Sequence, residues 1–161
     1  MPLFAEEDVN ALYFSRHDEH NLLGSADLHP FTLDGHEWPT VEHYYQANLY
    51  KDEAVQTKIR TLPSAQAVIA LTEGFFSKLK WTGKHADWKK RRQVLMTRAV
   101  YTQCKTYPNI AQALLETGEQ KLVESSAYDH FWGCGRDRRG ENTYGKVLMN
   151  VRAKLLTENN T

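Results

Sequence analysis

The stretch "FTLDGHEWPTVEHYYQA", Phe31 to Ala47, decides the fold because a turn and a helix start lie back to back in it. Its first half alternates apolar residues (Phe31, Leu33, then Trp38) around Asp34-Gly35, a pair suited to a tight hairpin turn. Its second half opens a helix. Pro39 suits an extended entry, Thr40 can cap the first turn, and the helix is predicted to run to about Tyr50. In such a helix Glu42, Tyr45, Gln46 and Leu49 share one face. An acid in a first turn complements the helix dipole and needs no further role. This acid, however, keeps company with a tyrosine, a glutamine and a leucine. Partial desolvation would oppose its charge while helix N–H groups favour it, which is a way of tuning a carboxylate. Taken alone, the stretch leaves both readings open.

Working outward, "ALYF" (Ala11 to Phe14) reads as a short strand. Ser64 can cap "AQAVIALTE", a helix expected to stop at Gly74. Asp87 can cap a long helix from Trp88 to about Lys105, halted before Pro108. A short helix is expected from Asn109, closed by Gly118. A short strand is expected at Lys121–Glu124. Tyr144, Val147, Leu148, Val151 and Leu155 form the stripe of an amphipathic helix. There is no internal repeat, low-complexity tract or linker. The expectation is one α+β domain over residues 1–161, predominantly α-helical, with a small β-sheet or hairpin.

A chain of 161 residues can bury a real core. It carries 20 Lys plus Arg and 20 Asp plus Glu. A general nucleic-acid binder would normally show a basic surplus, so none is expected. Cys104 and Cys134 stand far apart, which argues against a secreted disulfide scaffold. "MPLFAEEDVN" has acids where a signal peptide needs a basic region and an apolar run. No segment has the apolar length of a membrane span. These features predict a soluble, cytoplasmic protein.

The second chemical cluster is "DHFWGCGRDRRGEN", Asp129 to Asn142. Gly133, Gly135 and Gly140 let backbone approach a ligand. Arg136, Arg138 and Arg139 offer forked donors for phosphate. Trp132 offers a stacking surface and Asp129 a second carboxylate. A solvated glycine loop around a buried tryptophan explains the same residues equally well, and the glycine spacing is not that of a dinucleotide-binding loop. The third cluster, "KHADWKKRRQVLM", places Arg92 and Leu95 on the face of Trp88; a core tryptophan beside a solvated basic face is the simpler reading. His17 and His20 stand three apart in a polar stretch without helical pattern, and Cys104 and Cys134 have no partners at ligand spacing, so no metal is expected.

Together, Asn21, "FTLDGHEWPTVEHYYQA", "DWKKRRQVLM", "ALLETGEQKLVESSAYDHFWGCG" and "GENTYGKVLMNVRAKL" resemble the NADAR (YbiA-like) family from about Leu12 to Leu156. Its bacterial members include N-glycosidases of riboflavin biosynthesis intermediates. The chain departs from the family pattern at Leu49, where a lysine is usual, at His85, where an arginine is frequent, and in "HNLLG" after His20. The resemblance implies hydrolysis of the bond between a ribosyl anomeric carbon and nitrogen, on a small phosphoribosylated pyrimidine. It implies that Glu42 stabilises the oxocarbenium-like state or guides water, and that Asp129 assists the departing amine. Trp88 and Trp132 would sandwich the heterocycle, with Gly133 close to the ligand. Arg136, Arg138 or Lys146 would hold phosphate, and Asn21, Gln46 and Asn142 ribose hydroxyls. No metal or cofactor is required. An ADP-ribosyl-guanine glycohydrolase and a non-catalytic ADP-ribose or nucleotide-binding module are the alternatives.

Overall fold

The structure, a computed structural model, describes Leu3 and residues 5–160. The amino-terminal reading over residues 1–10 and the domain bound at 161 therefore lie partly outside the described residues. Strands β1 (Leu12–Phe14), β2 (Phe31–Leu33) and β3 (His36–Trp38) come first. Helices α1 (Val41–Ala47), α2 (Glu53–Arg60) and α3 (Ala65–Glu73) follow. After a 3₁₀ turn at Lys78–Lys80 come α4 (Trp88–Thr106), α5 (Pro108–Leu115), β4 (Leu122–Glu124) and α6 (Thr143–Asn159). This is the expected α-rich α+β domain, but its strands form two separate pairs instead of one sheet. β2 and β3 make the antiparallel hairpin, and β1 pairs with β4 in parallel, Leu12 opposite Leu122.

The hairpin turn is built as its sequence dictates. Asp34 (φ 52°) and Gly35 (φ 80°) both sit in the left-handed region that a two-residue primed turn requires. Asp34 then acquires a second role. Its carboxylate accepts hydrogen bonds from Tyr44 Oη at 2.7 Å and from Arg98 Nη1 and Nη2 at 3.0 and 2.7 Å, tying the turn to α1 and α4.

Helix α1 is the centre of the molecule. Thr40 caps it, accepting from the His43 amide at 3.2 Å, and all seven of its residues are buried. It ends at Ala47, three residues short of the expected Tyr50. The Asn48 side chain donates to Tyr44 O at 2.8 Å, competing with the helical ladder. Beyond it, Tyr50 bridges to Lys84 in antiparallel fashion and draws the chain away. Helices α4 and α6 pack on each other, and α4 also packs on α1. From α6, Val147, Leu148, Val151 and Leu155 enter this core as the stripe predicted. Each such fully buried aliphatic side chain contributes roughly 1.5–3 kcal/mol relative to exposure.

Other differences have local causes. Helix α2, not singled out in the sequence, places Val55 and Ile59 on one face with Ile59 fully buried; Asp52 caps it, accepting from the Ala54 amide at 2.8 Å. Asp87 precedes α4 but makes no side-chain cap, binding Arg91 Nε at 3.0 Å instead. Helix α5 begins one residue early because Pro108 fills a first-turn position that needs no N–H. Gly74 ends α3 with φ −58°, so its small size, not a left-handed twist, is what the site uses. A Cβ there would meet Ala70 O at 2.3 Å. The chain then runs outward through exposed Phe75, Phe76 and Trp81 before Lys84 rejoins the core edge. No helix of the described residues is long and apolar enough to cross a membrane.

Candidate active site

Glu42 lies in the first turn of α1 with 0% of its surface exposed. Three side chains bind its carboxylate. Arg16 Nη1 donates to Oε2 at 2.6 Å, Ser25 Oγ donates to the same oxygen at 2.8 Å, and Gln46 Nε2 donates to Oε1 at 3.0 Å. The Glu42 amide donates to Ser25 O at 2.9 Å, locking the loop before the hairpin onto the helix start. Burial works to raise the carboxyl pKa. The Arg16 charge, helped by His17, Gln46 and Ser25, outweighs it and holds the group below the ordinary carboxylate value. Both sequence readings of Glu42 therefore hold at once: it is a first-turn acid and an enclosed, anionic one.

Arg16 follows β1 and is 1% exposed. Its amide donates to Glu124 Oε1 at 3.0 Å across the β1–β4 junction, and its Nη2 stands 3.8 Å from Asp129 Oδ2. Burial would lower its pKa, but Glu42 and the surrounding acids raise it further, so it is fixed as a cation. The guanidinium also lies over the Trp132 ring, 5.8 Å from its centroid.

The loop after β4 holds the other wall. Asp129 Oδ1 accepts from the amides of Phe131 and Trp132 at 3.0 and 2.7 Å, leaving Oδ2 toward Arg16. Trp132 is buried and meets Tyr45 edge-on at 5.2 Å between centroids. Phe131 packs edge-on against Trp132 at 4.7 Å, and Arg92 lies over the Phe131 face at 3.1 Å. The same guanidinium is 5.5 Å from the Trp88 ring, with Lys84 Nζ at 4.5 Å from it. Gln46 also donates to exposed Glu73 at 3.1 Å, so the buried group reaches the surface there. The contacts close into a ring: Glu42, Arg16, Trp132, Phe131, Arg92, Trp88, Lys84, and back by way of Glu73 and Gln46. The Glu73 link to Lys84 is electrostatic, since Glu73 raises a Lys84 pKa that burial lowers.

Of the residues singled out in the sequence, Glu42, Gln46, Trp132, Trp88 and Arg92 belong to this ring, and Asp129 borders it through Arg16 and the Phe131 and Trp132 amides. Trp88 and Trp132 sit at separate places in it, with Phe131 and Arg92 between them. The remainder are engaged elsewhere. Asn21 Oδ1 accepts from the Leu23 amide at 2.9 Å, turning the chain. Asn142, at φ 51°, binds both neighbours on β4: Nδ2 donates to Leu122 O at 2.9 Å and Oδ1 accepts from the Glu124 amide at 2.8 Å. Gly133 is required by the same strand, because a Cβ there would meet Glu124 Oε2 at 2.4 Å. Arg138 pairs with Glu7 at 3.5 Å, Arg136 lines a shallow surface hollow with His130 and Asp137, and Lys146 is exposed on α6. Among the described residues, none of these three cations bonds to the Glu42 group.

Sequence reasoning missed Arg16, Ser25, Glu73, Glu124 and Lys84. Arg16 has no periodic neighbour to mark it as buried, and Ser25 touches Glu42 by backbone and side chain across 17 residues of separation. The one usable signal for Lys84 and Arg92 was their closeness to Trp88, a residue type that lends a face to cations. Among the described residues, no group of three or more His, Cys, Asp or Glu is placed to hold a metal ion.

Comparisons with known proteins converge on this site-bearing fold. The NMR structure of Escherichia coli YbiA superposes with a TM-score of 0.78 at 26% identity, covering 99% of this chain and 95% of that one. By sequence the chain is 28% identical to the N-glycosidase YbiA of Escherichia coli over 152 residues, covering 94% of this chain and 92% of that protein. It is 37% identical to an N-glycosidase of Nostoc punctiforme over 121 residues, covering 73% of this chain and 74% of the relative. It is 34% identical to a riboflavin biosynthesis protein of Vibrio vulnificus over 145 residues, 89% of this chain but 38% of that longer protein. The NADAR domain model matches residues 3–156, and the chain belongs to the NADAR family.

Proposed function

We propose that the protein hydrolyses an N-glycosyl bond, and that its substrate is a phosphoribosylated pyrimidine amine of the kind formed early in riboflavin synthesis. The observation that carries this reading is Glu42, a fully buried carboxylate kept anionic by Arg16 and oriented by Ser25 and Gln46. The names of the similar N-glycosidases and of the riboflavin biosynthesis relative support it.

Cleavage breaks the bond between the anomeric carbon and nitrogen through a cationic, oxocarbenium-like state. A preorganised anion in a dry setting stabilises such a state far better than one in water, because no solvent must reorganise. In this reading Glu42 faces the anomeric carbon and accepts a proton from the incoming water. The water oxygen becomes the sugar hydroxyl. A proton from solvent passes by way of Asp129 Oδ2 to the departing nitrogen, and Glu42 returns its proton to solvent. Trp132 lies against the base, and Gln46 and Glu73 contact ribose hydroxyls.

The test is to incubate the enzyme with freshly generated intermediates and follow release of ribose 5-phosphate. Glu42→Gln should lose at least roughly 10²-fold in kcat. Wild-type enzyme that releases nothing, or a variant that matches it, ends the proposal. An ADP-ribosylated guanine oligonucleotide offered in parallel fixes the substrate class; preference for it transfers the same chemistry to an ADP-ribosyl linkage.

A further inference from the structure

The geometry points to Lys84 and Arg92, braced on Trp88, as the subsite for a phosphate ester on the sugar's C5, in place of Arg136, Arg138 and Lys146, to which the family resemblance gave that role. This assignment rests on the N-glycosidase reading for the rest of the ligand. It begins from an imbalance. Among the described residues Arg92 makes no ion pair or hydrogen bond, and its Nε is buried without a partner. Lys84 likewise has no ion pair, although it is half-buried. Four other arginines have carboxylates: Arg16 has Glu42, Arg91 has Asp87, Arg98 has Asp34 and Arg138 has Glu7, while Arg152 bonds Thr117 Oγ1 and Gln120 O.

Three cations lie over the Trp88 ring, Lys84 Nζ at 4.5 Å, Arg92 Cζ at 5.5 Å and Lys89 Nζ at 5.7 Å from its centroid, and of these Lys84 and Arg92 are half-buried while Lys89 is exposed. Arg92 Cζ also lies 3.1 Å from the Phe131 ring centroid, a contact that restricts its guanidinium. Stacked guanidinium and half-desolvated ammonium groups make a strong site for a dianion, through charge-assisted and bidentate hydrogen bonds. The place is also right for a sugar phosphate. Phe131 adjoins Trp132, which lies under Arg16, and Gln46 links Glu42 to Glu73 near Lys84. A ribose resting with its anomeric carbon at Glu42 would extend its C5 substituent toward that rim. Arg136 and Arg138, on the loop that also touches the amino-terminal segment, have no such connection.

The experiment compares direct binding of ribose and ribose 5-phosphate by calorimetry, with no turnover needed, in wild type, Lys84→Ala, Arg92→Gln and Arg92→Lys. Wild type should prefer the phosphate. That preference should fall roughly 10- to 100-fold in Lys84→Ala and Arg92→Gln, and less in Arg92→Lys, which keeps charge but loses the fork. Arg136→Gln should leave it unchanged. Thermal unfolding checks that each variant folds; Lys84→Ala, at the helix-free rim, keeps the test open if Arg92→Gln does not. An ADP-ribose arm separates a monoester from a diphosphate: its binding must also weaken in the two variants. The assignment is overturned if wild type shows no preference for phosphate, if the preference survives both substitutions, or if Arg136→Gln alone removes it. Turnover by Glu42 is read in a separate assay, so either idea can fail without the other.

Discussion

Two arginine–carboxylate pairs in this molecule look alike in the bond distances and differ in everything around them. Arg16 and Glu42 meet at 2.6 Å with side chains 2% and 0% exposed, and Ser25 and Gln46 complete the carboxylate. Arg98 and Asp34 meet at 2.7 Å with side chains 47% and 42% exposed, sharing the Tyr44 hydroxyl. The outer pair fastens a hairpin turn to two helices in the presence of water. Charge there is screened, and its two members can each be solvated if parted. The inner pair has no such refuge. Removing one partner strands the other as an uncompensated buried charge. The comparison teaches that the same chemical pair serves as a fastener at the surface and as a fixed electrostatic device inside.

The largest expected effect breaks the inner pair. Arg16→Met should destabilise the fold by about 3–5 kcal/mol in urea unfolding, because Glu42 is left alone. Adding Glu42→Leu should recover a good part of that loss while leaving no hydrolysis. A single-variant loss under about 1 kcal/mol would mean that the inner pair is no different from the outer one.

The next effect is on pH. Burial, with the Arg16 charge beside it, holds the His17 pKa below its ordinary 6.5. Burial likewise lowers His43, whose ring nitrogens are occupied by Thr40 Oγ1 at 2.7 Å and Leu62 O at 3.0 Å. Both are kept neutral in the fold, whereas the unfolded chain protonates them near the ordinary value. The unfolded state therefore binds more protons as acid is added. The stability these two groups contribute is full above about pH 6.5 and is lost as pH falls toward their folded pKa values. Urea midpoints between pH 7.5 and 5.5 should decline, and His17→Asn should flatten the slope. A flat profile for wild type would show that the interior tolerates charge as readily as the surface does. Through the same range the Asp34–Arg98 pair stays formed, since its carboxyl is held below the ordinary 3.8 by the Arg98 hydrogen bonds.

The smallest effect breaks the outer pair. Arg98→Met should cost about 0.2–1 kcal/mol, and the difference from wild type should shrink in high salt. A loss above about 2 kcal/mol, unaffected by salt, would place the hairpin fastener in the same class as the inner device.

The outer region was largely legible in the sequence and the inner one only in part, for a physical reason. Asp34-Gly35, Thr40, Ser64 and the stripe of α6 act over a few residues, and local chemistry writes local signals. Glu42 was legible because an acid among apolar neighbours on a helix face is a local anomaly. Arg16 and Glu124 were not. One follows a short strand and the other ends one, and each is buried by contact with residues about a hundred positions away. The glycine and asparagine of the Asp129–Asn142 loop announced a close approach correctly, yet what approaches Gly133 and Asn142 is β4 itself. A residue type reports that something comes near, not what it is.

The parallel pairing of β1 with β4 has a consequence for how the Glu42 group is assembled. Helix α1 and its carboxylate form from neighbouring residues, and a chain ending anywhere after Ala47 already contains them. The Arg16 amide is anchored on Glu124 over a separation of 108 residues. Closing so long a loop is entropically slow and is rewarded only once both ends are present. The backbone anchor that holds Arg16 beside Glu42 therefore includes a contact no chain ending before Glu124 can make. A growing or clipped chain that stops short of β4 holds Glu42 without this anchor of its partner.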